Sequence, residues 1–232
     1  KSLQMRINTQ STIEPDRDII FSFDRPIAIA DTSKIHLYAK QDSLWYDTPL
    51  RVRPVSERIP GDTTRAAILS LRNYELRAEW QPDTEYSLEL DSMAFVDIYG
   101  LVTPPIKQGI KVQSLDEYSS LIFTLPKQGD THFVVELLNQ QGDPVKRTTA
   151  IDGTAQFYYI TPGKYYARMF ADDNNNGVWD TGDYAAGLQP EMMYYYPDEI
   201  ECKAKWDVTL DWNPTARPLD KQKPAKITKQ KA

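Results

Sequence analysis

Apolar and polar residues alternate along this chain in short runs. In DIIFSFDRPI the apolar positions are Ile19, Phe21 and Phe23; in KIHLYAK they are Ile35, Leu37 and Ala39; in PLRVRP, Leu50 and Val52; in EYSLELD, Tyr86, Leu88 and Leu90. A period of two sends successive side chains to opposite faces, so each run predicts a strand with one face buried and one in water. The breaks EPDRD, IPGDTT, QPDT and IYG are built from turn formers. A second series follows, LIFTL, HFVVELLNQ, AQFYYI and KYYARMF, with turns at KQGD, QQGDP, IDGT and TPGK. No helical stripe longer than about three turns interrupts either series. The pattern predicts an all-β chain of two antiparallel β-sandwich domains, residues 1–113 and 114–213, joined near residues 113 to 117.

From residue 200 to 212 the even positions are apolar (Ile200, Cys202, Ala204, Trp206, Val208, Leu210, Trp212) and the odd ones are Glu, Lys, Asp or Thr. At the usual rise such a run spans roughly 40 Å, too long for one straight strand, so a bend or bulge is expected inside it. The same alternation puts Cys202 on the buried face as a small, inert hydrophobe.

Composition sharpens this picture in three ways. Fourteen Tyr, seven Phe and five Trp in 232 residues favour strands over helices. The net charge is −6 but uneven: residues 214–232 hold Arg217 and five lysines against Asp220, which makes this stretch +5 and leaves −11 for the rest. An acidic body is a poor nucleic-acid binder, and a basic tail with little besides Leu219 and Ile227 to bury reads as a solvated end. A single cysteine allows no intrachain disulfide. No apolar run approaches the ~18 residues of a transmembrane span, and the opening KSLQMRINTQ carries no signal-peptide pattern.

Longer stretches carry a resemblance. DIIFSFDRPI, LRAEWQPDTEYSLELD and SMAFVDIYG place residues 2–112 close to the bacterial Ig-like domain of the S-layer-protein type, with its Phe-Asp-Arg-Pro turn, its Pro-x-Thr-x-Tyr lead into a late strand and its Ala-Phe-x-Asp-x-x-Gly loop. LLNQQGDPV, DGTAQFYYITPGKYYARMFADDNNNG and KAKWDVTLDW make residues 117–212 resemble a transthyretin-like sandwich of the CnaB and carboxypeptidase-regulatory kind. The pair in this order is similar to the C-terminal half of Ig-like-domain surface lipoproteins of Gram-negative bacteria. The resemblance implies an extracytoplasmic chain, anchored at the outer membrane through a region missing here. It also implies a structural or adhesive role, with a protein or glycan of the envelope as partner. A monomer is expected. The alternative is a glycan-binding accessory module of a polysaccharide-utilisation system.

Enzyme signatures are thin. His36 and His132 fall in different domains, and the chain has no phosphate loop, no Gly-x-Ser-x-Gly elbow, no His-Glu-x-x-His and no Cys-x-x-Cys. Catalysis is not expected. Tyr158, Tyr159, Tyr165, Tyr166, Tyr194, Tyr195 and Tyr196 crowd the second domain, and alternation turns about half of them outward, where tyrosines stack on sugars or proteins.

The most chemically loaded stretch is DDNNNGVWDTGD, residues 172–183. Calcium wants six to eight oxygens, and a twelve-residue loop supplies them from positions 1, 3, 5, 7, 9 and 12, with glycine at 6. With Gly177 at 6, these positions are Asp172, Asn174, Asn176, the Val178 carbonyl, Asp180 and Asp183. Asp183 stands where a longer Glu is usual, which shortens the reach of the last ligand. The competing reading is a polar turn in which Asn176-Gly177 supplies positive φ and the acids are merely solvated.

Overall fold

The computed structural model of the chain describes residues 2–9, 11–55, 67, 70–127, 129, 131–183 and 185–228. They form two compact units, divided between Leu115 and Asp116. Both are built from strands, and among the described residues no helix is long and apolar enough to cross a membrane.

The first unit holds β1 (Met5–Ile7), β2 (Thr12–Ile13), β3 (Ile19–Phe23), β4 (Ile27–Ala30), β5 (Ile35–Gln41), β6 (Leu44–Asp47), β7 (Leu50–Pro54), β8 (Asn73–Ala78), β9 (Glu85–Leu90), β10 (Phe95–Asp97) and β11 (Ile106–Val112). One sheet runs β1-β3-β8-β7 and the other β2-β11-β9-β5-β6, with β10 and β4 as a separate ribbon. Pairing is antiparallel except where β2 lies parallel to β11. The predicted alternation holds: Ile19, Phe21 and Phe23 of β3, and Ile35, Leu37 and Ala39 of β5, all point into one core around Phe95.

Two of the quoted motifs have a local explanation. Tyr86 of the Pro-x-Thr-x-Tyr stretch is 1% exposed and its hydroxyl accepts the Gln81 N–H at 2.8 Å, which turns the chain into β9. Asp97 of the Ala-Phe-x-Asp-x-x-Gly stretch is also buried, and its Oδ1 accepts the N–H groups of Tyr99 (2.9 Å) and Leu101 (2.8 Å). The side chain thus stands in for backbone acceptors that a tight loop cannot supply.

The second unit holds β12 (Ser119–Thr124), β13 (Phe133–Leu138), β14 (Pro144–Thr149), β15 (Thr154–Ile160), β16 (Gly163–Ala171), β17 (Met193–Tyr195), β18 (Ile200–Cys202) and β19 (Asp207–Asp211). A β15-β12-β19 sheet faces a β14-β13-β16-β17 sheet, with β18 added to β16. Phe123 sits at the centre of the core, its ring 5.1 Å from Trp212 and 5.5 Å from Tyr196. The long run 200–212 does break. Lys205 takes φ +65° and the chain leaves β16 at Cys202 to resume beside β12 as β19, in parallel register from Ser120–Asp207 to Thr124–Asp211. Ala204 and Trp206 fall in this crossover and are exposed, so the alternation read through them does not describe one face. Cys202 is 1% exposed, as expected.

Strand β13 is buried along its whole length, on both faces. Phe133, Val135 and Leu137 enter the core, whereas Val134, Glu136 and Leu138 face outward and are covered all the same. Part of the cover is the C-terminal segment. Ile227 is 5% exposed and packs with Leu138, Tyr166 and Tyr195. Gln222, 4% exposed, donates to the carbonyls of Pro214 and Arg217 and accepts the Tyr195 N–H. The expectation of a solvated tail is therefore corrected for residues 214–228. A single isoleucine has no period to reveal it, and what seats it is apolar surface on another element. Leu219, the other apolar residue of the tail, stays 48% exposed.

The tail is also pinned by charge. Glu199 accepts from Lys164 (3.1 Å), from the Tyr166 hydroxyl (3.2 Å) and from Lys226 of the tail (3.3 Å). The Lys164 ammonium, more than the other two, holds the Glu199 carboxyl down to about 2 from its ordinary 4.5. A carboxylate with a depressed folded pKa lends stability that is complete above the unfolded value and is lost as pH falls through the folded one. The Ile227 methyl resonances should therefore hold their positions from neutral pH to about 5 and drift toward random-coil values between about 4.5 and 2. Because the pair is exposed, added salt should weaken it already at neutral pH. Resonances that ignore both acid and salt would remove Lys226–Glu199 from the docking of the tail.

Candidate functional site

The loop between β16 and β17 contains all the predicted ligand positions. Asp172 follows β16 directly, its N–H bonded to the His132 carbonyl at 2.7 Å, and it is 2% exposed. Its carboxylate folds back on the loop, Oδ1 accepting the Asn176 N–H (2.9 Å) and Oδ2 the Gly177 N–H (2.7 Å). Asn174 Oδ1 accepts the Asn176 N–H at 3.1 Å, and Asn176 Oδ1 accepts the Val178 N–H at 2.8 Å. The amide groups of Asn174 and Asn176 both donate to Asp180 Oδ2, at 2.6 and 2.9 Å. Two partial positive charges thus converge on one carboxylate oxygen, the place a cation would take. Turning both amides over would aim oxygens there instead, at the cost of the two bonds to Asp180 and of the bonds that the two Oδ1 atoms accept from the Asn176 and Val178 N–H groups. The Val178 carbonyl accepts no hydrogen bond among the described residues. Positive φ is found at Asn175 (+55°) and Gly177 (+76°), not at Asn176.

Asp183 stands apart from this ring. Its Oδ1 caps a second turn by accepting the N–H groups of Ala185 (2.8 Å) and Ala186 (3.1 Å), and its backbone bridges Leu188. The carboxylate that closes the loop is Glu191, 8% exposed. Its Oε1 accepts the Asp173 N–H at 2.9 Å and its Oε2 the Asp180 N–H at 3.0 Å, while its carbonyl accepts the Trp179 indole N–H at 2.8 Å. Fixed twelve-residue spacing misses Glu191 because the 183–188 turn is inserted before it. The signal available in the sequence is the Gln-Pro-Glu that ends this insertion. Among the described residues no three His, Cys, Asp or Glu side chains are drawn together closely enough to hold a metal by themselves. Any cation here would rest on amide and carbonyl oxygens as much as on carboxylates, a hard donor set of the kind calcium takes.

The loop is tied to the sheet through Arg147 on β14. Its Nη1 donates to the Gly177 carbonyl at 2.8 Å, and its Nε and Nη2 both reach Oε1 of Glu136 on β13. Arg168 on β16 donates to Oε2 of the same carboxylate at 2.6 Å. Glu136 is directly opposite both arginines in the strand registers and is 2% exposed. One buried carboxylate therefore holds three neighbouring strands and, through Arg147, the loop.

The remaining candidates are spread out. His36 stands 3.2 Å from Asp91, and His132 is exposed in the other unit. Burial pushes the Cys202 thiol above its ordinary range, in keeping with an inert core position. Of the seven tyrosines, Tyr158 stands clear at 52% exposure. Tyr166 is buried, Tyr194 and Tyr196 pack on the core, and Tyr195 packs on Ile227. The outward half of the cluster expected from alternation is reduced because both faces of β16 and β17 are largely or partly covered.

No family model matches the chain, and no curated protein does. Among solved structures it is similar to native alpha-2-macroglobulin from Escherichia coli, at 11% identity and a TM-score of 0.35, over 84% of this chain and 71% of that one. It is also similar to the TIE protein of Bacillus anthracis, at 9% identity and 0.26, over 91% of this chain and 40% of the other. A third likeness is to the major pilin subunit of Bacillus cereus, at 12% identity and 0.27, over 91% and 69%.

Proposed function

We propose that this chain is a non-enzymatic structural or adhesive module of a bacterial cell envelope, an Ig-like sandwich followed by a transthyretin-like one, presenting a surface to a protein or glycan partner outside the cytoplasm. The observation that carries the reading is the use made of the buried carboxylates. Glu75 pairs with Arg53 and Arg77, Asp97 holds a loop backbone, Glu136 holds two arginines, and Asp172 and Glu191 clamp the 172–191 loop. Each holds strands or loops in place, although Asp97 keeps its second oxygen buried without a hydrogen bond, 3.9 Å from Arg25.

Within this reading the loop is a calcium site. Its ligands are Asp172, Asn174, Asn176, the Val178 carbonyl and Asp180, while Asp183, the twelfth position, caps a separate turn and Glu191 closes the loop through the amides of Asp173 and Asp180. Extracellular calcium modules have dissociation constants of about 10⁻⁴ to 10⁻³ M, and a site with few carboxylates belongs there. Binding to the folded state alone adds roughly 1.4 to 2.7 kcal/mol at tenfold to hundredfold excess over Kd. Millimolar calcium should raise the melting temperature by a few degrees and magnesium by much less, as read by calorimetry. Asp180→Ala should abolish the gain, and Asp183→Ala should keep it. No calcium dependence up to about 10 mM would leave the polar turn as the reading of the loop and the structural role unaffected.

A further inference from the structure

A cleft of about 360 Å³ lies on the outer face of the second unit, between the docked C-terminal segment and the β13–β14 turn. Its lining includes Gln141, Asp143, Arg168, Tyr195, Lys223 and Ile227. Clefts of this size take small ligands.

The charges around it do not balance. Arg168 shares the Glu136 carboxylate with Arg147, so these three side chains together keep one positive charge. Lys223 adds another. Its ammonium stands 5.2 Å from the centre of the Tyr195 ring and pairs with no carboxylate among the described residues, whereas Lys226 of the same segment is paired to Glu199. The backbone at Lys223 is anchored by its buried neighbours in the segment, Gln222 and Ile227, while its side chain is exposed. Asp143 is the acid of the cleft, and it too has no ion pair among the described residues. With Arg168 and Lys223 against Asp143, the cleft favours a single negative charge and disfavours a dianion brought close to Asp143.

We propose that this cleft is a subsite for a carboxylated sugar, a uronate, whose carboxylate meets Lys223 and Arg168 and whose ring hydroxyls donate to Asp143 and bond to Gln141. A planar guanidinium suits a carboxylate, and an ionised carboxylate is a strong acceptor for sugar hydroxyls. The site goes beyond the structural reading and is independent of the calcium loop.

The test is a titration of the full chain, by calorimetry and by amide chemical shifts, with sodium glucuronate at fixed ionic strength. Glucose and inorganic sulfate serve as the other probes. Glucuronate should bind with Kd near about a millimolar and glucose and sulfate at least about tenfold more weakly. Lys223→Ala, an exposed position whose loss should leave the melting temperature unchanged, should weaken glucuronate about fivefold or more. Asp143→Asn should remove the preference for glucuronate over sulfate. Equal binding of sulfate by the native chain would reduce the cleft to a plain positive patch. Equal binding of glucose, a glucuronate affinity indifferent to Lys223→Ala, or no shift up to about 50 mM would each overturn the proposal.

Discussion

Glu136→Ala is expected to cost the second unit about 3 to 5 kcal/mol, read as a fall in the urea midpoint at unchanged slope. The carboxylate is 2% exposed and neutralises Arg147 and Arg168 from the strands on either side. Removing it leaves two guanidiniums facing each other across β13 with no anion between them, and Arg168 is largely out of water. The damage should spread, because Arg147 also holds the Gly177 carbonyl at 2.8 Å. Hydrogen exchange at the amides of Asn176 and Gly177 should therefore accelerate in this variant. A control separates charge from packing: replacing Glu136, Arg147 and Arg168 together by Met and Leu should cost much less than the single change, since a buried ion network adds little net stability over apolar residues of similar volume. A single-variant cost below about 1 kcal/mol would mean that water already screens the triad.

Gly182→Ala should also be severe, at about 3 kcal/mol or more, combining a strained φ with a steric clash. The residue has φ +79°, and a Cβ there would lie 2.6 Å from Pro190 N, 2.7 Å from the Leu188 oxygen and 2.8 Å from Gln189 C. All three are backbone atoms, so no side chain can swing aside. The 183–188 turn would have to open, and Glu191, one residue beyond Pro190, would be pulled off the amides of Asp173 and Asp180. Loss of protection at those two amides is the diagnostic readout. Gly177→Ala is the comparison: its φ is +76° but nothing lies within 4 Å of the added methyl, so only the backbone cost of roughly 1 to 2 kcal/mol remains. Equal effects at the two glycines would mean that the turn around Gly182 is loose.

Strands whose apolar residues alternate or run together were legible in the sequence, and strands without such a pattern were not. β3, β5 and β9 announce themselves because every second residue is apolar. β14, with the sequence PVKRTT, gives no such signal: it is an edge strand whose side chains are mostly exposed. β8 does alternate, with Tyr74, Leu76 and Ala78 against Asn73, Glu75 and Arg77, but the alternation does not reveal that Glu75, on the polar face, is buried as well by its arginine partners. In the loop, Asp172, Asn174, Asn176, Val178 and Asp180 follow from local spacing because each interacts within a few residues of itself. Glu191 does not, because its place depends on the turn folded between it and Asp180. The docked tail was illegible in principle, as its seat consists of Leu138 and Tyr166 on distant strands.

The parallel pairs have a mechanical consequence. The chain enters the second unit on β12 and completes its sheets on β19, and these two strands lie side by side, pointing the same way, over five paired residues. In the first unit β2 and the final strand β11 are related in the same way, over two pairs. Tension along the polypeptide pulls such neighbours in opposite directions along their length. The hydrogen bonds between β12 and β19 are then loaded together, in shear, and cannot be peeled one at a time. The second unit is thus closed by a clasp of five rungs, whereas the first has two such rungs and places β1, antiparallel to β3, ahead of them, so a stretched chain should yield first in its N-terminal half.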